Sequence, residues 1–409
     1  MKKQAFKYLC ETCGKTYAIE KNLMLCSHCR DENLEGKSLR GVLKVKLPDS
    51  LSSSVRIHAS IDVFDYLPIE RKYFPLLSVG NTPLVKAINI ERDLGFKNIF
   101  LKFDGANPTG SLKDRASYLV SAFAKKHRIG KIVVASTGNA ASSMAGVAAS
   151  AGQQAIIFMP STAPKAKLVQ CLQYGATVIP IHGDYDAAFD LSLKFSKRTG
   201  YLNRNTGYNP LTIEGKKTVS FEILAQMRGK GVDYVFLPVG DGVVLSGVIK
   251  GFLDLQFIGA IKQIPKIIGV QAEGSSFFHS AFYQNKFDLS YKADTIADSI
   301  SVNVARNGYT AVTDLKKVNG DVVLVDDKSI LDAQKYISRM SGIFCEPSSA
   351  ASFAGFLKMK DRIPRSKRIV FLLTGHGLKD VDNAMKALAF PEVCEPDIEK
   401  VMKSFGPAH

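Results

Sequence analysis

The chain has 409 residues, 46% of them apolar, and carries a formal charge of +16. That length accommodates two sizeable domains with an appendage, and that apolar content can bury real cores, which excludes a disordered tail. The charge admits a nucleic-acid or membrane partner, yet no long basic run or basic amphipathic helix accompanies it, so the surface is read as one that attracts small anionic metabolites.

The opening stretch MKKQAFKYLC has no apolar run behind its lysines, so it is not read as a secretory signal and a cytoplasmic, reducing setting is expected. Two CxxC pairs lie here, Cys10 with Cys13 and Cys26 with Cys29, with twelve residues between them. In a reducing compartment thiolate ligands are favoured over disulfides, and two such knuckles close a tetrahedral zinc site. Four thiolates leave no open coordination position, so this Zn2+ would be structural. Residues 1–35 are therefore expected to form a zinc ribbon, with Gly14 permitting the turn after the first pair, Tyr17 covering the metal and His28 a bystander. Cys171, Cys345 and Cys394 are expected to be buried structural cysteines.

Residues 31–75 are the least regular part and lead from the ribbon into the body of the protein. From about residue 96, short apolar runs alternate with helical patterns. NIFLKF, KIVVAS, AIIFM, TVIPI, DYVFLPV, KIIGVQ, DVVLV and RIVFLL read as buried strands. The alternation implies parallel sheet with helices on both faces. The longest apolar region, 234–260, is broken by Pro238, Asp241, Lys250 and Asp254, so no segment is expected to span a membrane.

Ligands of such sheets collect where strands end and helices begin, because backbone N–H groups and helix dipoles point there. The turn NPTGSLKDR (107–115) puts Lys113 at the start of a helical pattern marked by Ala116, Leu119, Val120 and Phe123. STGNAASS (136–143) follows the KIVVAS strand, and its small residues and free amides suit a carboxylate. LPVGDGVVLSG (237–247) offers Gly240, Gly242 and Gly247 for wrapping a phosphate, although a plain tight turn explains these glycines equally well. LLTGHGLKD (372–380) places Thr374 at the end of the last strand. A lysine, a carboxylate nest and a phosphate loop on one sheet edge are what a pyridoxal phosphate enzyme needs.

These motifs, together with SVGNTPL (78–84), NPLTIEGKKT (209–218) and CEPSSAAS (345–352), resemble those of the threonine synthase group within the tryptophan synthase β-type (fold type II) pyridoxal phosphate enzymes, from about residue 75 to 380. The ribbon resembles an extension found on some members. The resemblance implies an α/β protein of two open parallel-sheet domains with the cofactor, pyridoxal 5'-phosphate, between them. Residues 36–118 and 206–400 would form the large cofactor-binding domain and 119–205 the small one, with a homodimer as the assembly.

Carried over residue by residue, Lys113 matches the Schiff-base lysine that also moves protons, and Asn139 the partner of the cofactor's ring hydroxyl. Ser136, Thr137 and Gly138 would hold the substrate carboxylate, with Asn209 and Thr212 elsewhere at the substrate. Gly240, Asp241, Gly242, Val243 and Val244 would form the phosphate loop. Thr374 matches the residue at the pyridine nitrogen, where a neutral hydroxyl makes the cofactor a milder electron sink suited to elimination and replacement. Glu346 lies either near the ring or at a helix N-cap.

Two departures both touch phosphate handling. Thr212 stands where many relatives have an arginine that would clamp a leaving phosphate, and the two are not equivalent toward a dianion. GDGVV replaces a GNxGN pattern, which puts Asp241 near a phosphate unless it points away or pairs with a cation such as Lys250. Lys102, Lys216 and Lys217 are candidate substitutes for the missing arginine. Leu112 stands in for a common phenylalanine and should pack similarly.

The reading that follows is a lyase that converts O-phosphohomoserine and water to threonine and phosphate. A sister enzyme of dehydratase, ammonia-lyase or cysteate synthase type on another small anionic amino acid is the alternative. A nucleic-acid-binding protein with a degenerate catalytic body is disfavoured, since the lysine motif is intact and the ribbon lacks interleaved aromatics for base stacking.

Overall fold

All eight apolar runs become strands in a computed structural model, which describes residues 5–55, 61–287, 292–389, 391 and 393–405. The first four residues of the N-terminal stretch considered above lie outside that description. Among the described residues, thirteen strands form three sheets. The smallest is antiparallel, with spatial order β2 (Thr16–Ala18), β1 (Lys7–Cys10), β3 (Leu43–Lys46). A four-stranded parallel sheet runs β8 (Thr177–Ile181), β7 (Gln154–Pro160), β6 (Lys131–Ala135), β9 (Leu202–Asn203). The largest runs β12 (Asp321–Val325), β11 (Lys266–Ala272), β10 (Tyr234–Pro238), β13 (Arg368–Leu373), β5 (Asn98–Phe103), β4 (Leu84–Lys86), and all of it is parallel except β4.

Central strands are continuous apolar runs because helices cover both of their faces, and the period of two sorts their side chains. Phe236, Ile369, Phe371 and Leu373 enter the core beneath the helix Pro347–Met359, where Phe353, Phe356 and Phe371 meet edge to face. Val235, Leu237, Val370 and Leu372 point the other way, against Val248, Ile249 and Phe252 of the helix Val243–Phe257. Truncating a ring as buried as Phe371 to alanine typically costs about 3–5 kcal/mol.

Two expectations are corrected here. TVIPI is a strand but not a buried one: as β8 it is the edge of its sheet, none of its residues is fully buried, and Pro180 is tolerated for that reason. Cys171 and Cys345 are buried as expected, whereas Cys394 lies exposed in the irregular C-terminal segment. No described helix is long and apolar enough to cross a membrane.

The strands deliver their C-terminal ends to a common cleft. Residues after β6, β10 and β13 converge there with the turn that follows β5, as open parallel sheets direct.

Candidate active site

Lys113 begins the helix Lys113–Lys126, and its motif neighbours explain how it is held. The Asp114 carboxylate accepts from Thr109 N (2.8 Å) and from the Thr109 hydroxyl, closing the turn. Arg115, fully buried, forks onto Asp104 (Nε to Oδ2, 2.6 Å) and onto Glu222 (2.6 and 2.7 Å), and Lys102 joins the same Glu222 at 2.8 Å. Gly215 is needed beside it, since a Cβ there would lie 2.3 Å from the Arg115 carbonyl oxygen. The acid and base that follow Lys113 are thus spent on fixing its backbone. Its own Nζ makes no hydrogen bond among the described residues.

Lys113 lies on the cleft with Ser136, Thr137, Asn139, Gly240, Asp241, Val244 and Thr374. Burial lowers the pKa of its ammonium; Glu346 and Asp241 oppose that, while Arg204 and Lys167 add to it. Asn139 opens the helix Asn139–Ser150, donates Nδ2 to both Glu346 oxygens (3.1 and 2.9 Å), and leaves Oδ1 buried without a partner. Glu346 occupies the N-cap position of the Pro347–Met359 helix, but its carboxylate does not cap that helix; it faces Asn139 and the Ser299 hydroxyl instead. Thr374 Oγ1 sits 3.2 Å from Ser349 Oγ. Leu112 N donates to the Thr374 carbonyl at 2.8 Å, which ties the lysine turn to the end of β13.

Not every expected residue reaches the cleft. Gly138 adjoins it, with a Cβ there meeting the Lys167 side chain at 2.2 Å, and Gly242 and Val243 stand behind Asp241 and Val244. Asn209 donates to the Asn203 carbonyl and accepts from Leu211 N, and Thr212 Oγ1 donates to the Asn209 carbonyl at 2.7 Å. Both side chains are buried in organising the start of the helix Leu211–Lys216 and neither lines the cleft. Asp241 does not pair with Lys250. Its Oδ1 accepts from Val243 N at 3.0 Å, while Lys250 binds Asp254, its i+4 neighbour, and Glu214. Of the lysines proposed to replace the missing arginine, Lys102 is held by Glu222 and Lys217 by Glu214 and Asp254; Lys216 has no ion pair among the described residues.

Other cleft residues had no signal in the sequence. Tyr185, Thr206 and the segment 298–302 line the cleft from loop positions or a helix start, where no periodicity marks them. Lys167, buried, forms an ion pair with Asp298, which lines the cleft.

The residues fit the phosphopyridine cofactor that the motifs suggest. A free lysine amine, an orphaned buried acceptor on Asn139 and a neutral hydroxyl on Thr374 border one cleft. At Gly242, φ is +88° and a Cβ would come within 2.6 Å of Ala311 Cβ, so the loop that starts the Val243–Phe257 helix needs glycine there. Away from the cleft, the Sγ atoms of Cys10, Cys13, Cys26 and Cys29 all lie within 4.8 Å of one another, and Tyr17 OH is 3.0 Å from Cys26 Sγ. Tetrahedral zinc with four thiolates places its sulfurs about 3.8 Å apart. The Cys13–Cys26 and Cys10–Cys29 separations, 3.6 and 4.0 Å, suit that metal.

Comparison with known proteins agrees with this chemistry. The family described as "Pyridoxal-phosphate dependent enzyme" matches residues 76–375. A protein named threonine synthase from Methanocaldococcus jannaschii is 34% identical over 403 residues, covering 95% of this chain and 96% of that protein. One from Synechocystis is 35% identical over 362 residues, covering 87% of this chain and 92% of its own length. Among solved structures, maize serine racemase aligns with a TM-score of 0.63 at 25% identity, over 73% of this chain and 88% of its own. A tomato threonine deaminase aligns with a TM-score of 0.68 over 87% of this chain and 98% of its own; at 22% identity that likeness concerns the fold.

Proposed function

The chain belongs to the pyridoxal-phosphate dependent enzymes, and on that premise we propose that it is a lyase acting as a threonine synthase, converting O-phosphohomoserine and water to threonine and phosphate. The observation that carries this reading is the likeness to proteins of that name along almost the whole length of both chains.

Pyridoxal phosphate, when bound, supplies an electron sink for charge developing at the substrate's α carbon. Lys113 is the residue to hold the cofactor and to carry protons, because burial lowers its pKa and so leaves the amine readier to give up its proton and act as a nucleophile. Asn139 would meet the ring hydroxyl with its free Oδ1, and Thr374 the ring nitrogen. A hydroxyl cannot hold that nitrogen fully protonated, which favours elimination and replacement over transamination. Ser136, Thr137 and Gly138, at the mouth of the Asn139–Ser150 helix, would receive the substrate carboxylate. The four cysteines would hold a structural Zn2+.

A second reading is favoured by Thr212, whose hydroxyl is committed to Asn209 and so is not offered to a leaving phosphate. It is a β-elimination or β-replacement enzyme on another small anionic amino acid. Incubating the cofactor-loaded protein with O-phosphohomoserine, with inorganic phosphate and threonine measured together, separates the two. Equal release of both is the expected result. Phosphate without threonine would indicate elimination to a keto acid, and neither product would move the assignment to a β-substituted amino acid.

A further inference from the structure

The phosphate loop of this chain contains an acid where a phosphate is expected. Gly240 and Asp241 lead into the Val243–Phe257 helix, and Asp241 Oδ1 already occupies the Val243 N–H at 3.0 Å. A carboxylate there takes one anion-binding donor and repels a dianion. Something must offset it.

Lys250, the lysine nearest in sequence, is committed to Asp254 and Glu214, and Lys217 shares the same two acids. Lys216 is different. It is 1% exposed, makes no ion pair among the described residues, and has one long polar contact, to the Thr206 hydroxyl at 3.4 Å. Thr206 and Asp241 both line the cleft, and Asp241 is the first charge that acts on Lys216 after burial itself. The helices place it there. Gly247 lies against it so closely that a Cβ would meet Lys216 Cβ at 2.7 Å and the Ile213 carbonyl at 3.1 Å, so Lys216 lies directly along the second turn of the Val243–Phe257 helix.

A second buried cation stands nearby. Arg204, with no exposed surface, reaches Ser117 Oγ (3.2 Å) and the Lys113 carbonyl (3.4 Å) and leaves one terminal nitrogen without a partner. Lys113 and Arg204 both act on Lys216, and the acids that act on the three are Asp241, which lines the cleft, with Glu346 at Lys113 and Asp114 at Arg204. Burial drives the Lys216 amine toward its neutral form, and a dianion at the helix N-terminus would draw it back to the charged one, so the cluster is a site that a dianion completes.

We propose that Lys216, supported by Arg204, is the counter-cation that lets the Asp241 loop hold the cofactor's phosphate monoester. The proposal rests on the reading of Lys113 as the cofactor's attachment point. Lys216 acts here as a positioning residue, since it offsets Asp241 from behind the cleft wall. A phosphate monoester carrying close to two negative charges completes the cluster, and the unphosphorylated aldehyde pyridoxal does not.

The test compares capture of the two aldehydes, followed by the visible band each forms with the protein, in wild type, Lys216→Met, Asp241→Asn and the double variant. Lys216→Met should weaken pyridoxal phosphate binding about 10- to 100-fold and leave pyridoxal within about twofold, as expected when the charge that offsets Asp241 is lost. The double variant should recover most of the loss. The cofactor-free Lys216→Met protein should melt no lower than wild type, because the buried amine that is removed has only one long polar contact. Equal losses for both aldehydes, a lower melting temperature, or no recovery in the double variant would overturn the proposal. So would intact cofactor binding with weakened inhibition by inorganic phosphate, which would give Lys216 to the substrate's phosphate instead. Wild-type protein that captures neither aldehyde would overturn the reading of Lys113 and this inference with it, a result distinct from a loss confined to the Lys216 variant.

Discussion

The Asn139 amide donates to both oxygens of the Glu346 carboxylate, at 3.1 and 2.9 Å, and so joins the helix after β6 to the helix that precedes β13. Gly375 makes room for this pair, since a Cβ there would lie 2.4 Å from Glu346 Oε1. The carboxylate is also the strongest charge holding the Lys113 pKa up against burial.

Replacing Glu346 with glutamine should therefore let that pKa fall further. The amine would be free at lower pH, so the midpoint of the pH dependence of cofactor capture should move down. A midpoint that stays in place or rises would show that Glu346 does not act on Lys113.

Lys113→Ala should abolish the visible band of the bound cofactor while leaving the fold intact, because the Nζ it removes supports no other residue. Retention of the band, read by absorbance after gel filtration, would assign the attachment to another lysine.

Glu222 governs acid stability. Burial alone would raise its pKa, but the Arg115 guanidinium and the Lys102 ammonium outweigh that and bring it from 4.5 to about 2. A carboxylate with a depressed folded-state pKa contributes stability above its unfolded value and loses it as pH falls through the folded one. The contribution is about 3 kcal/mol at neutral pH, by the usual conversion of about 1.4 kcal/mol per pKa unit. Glu222→Gln should thus destabilise the protein clearly at pH 7, and the two denaturation curves should converge between about pH 4.5 and 2. Parallel curves across that window would contradict the assignment.

Cys10→Ser should lower zinc content and melting temperature, because structural thiolate sites fold with their metal. None of the four cysteines lines the cleft, so turnover per folded molecule should hold. A selective fall in turnover at unchanged stability would place the ribbon in the chemistry.

Strands with both faces covered were legible because burial forces continuous apolar runs, and β10 and β13 illustrate this. β9 has two residues and β4 is a half-exposed antiparallel edge, so neither leaves a run long enough to see. The cleft divides along similar lines. Lys113 is legible because its neighbours are unusual at a helix start, whereas Tyr185 and the segment 298–302 arrive through tertiary packing alone. The partner of Lys250 was within reach, since Asp254 lies four residues on along one helix. Proximity to the glycine loop pointed to Asp241 instead, and helical spacing decided the outcome.

The packing behind the cleft wall has a mechanical consequence. Gly215 lies against the Arg115 backbone, and Gly247 and Gly251 lie against Lys216 and Lys217, each so near that a single methyl group would collide. Helices locked at that distance cannot slide or tilt without prying the backbones apart. The helix that Lys113 begins therefore rests on a rigid bed, and the amine is aimed by the contact of backbones rather than by hydrogen bonds of its own.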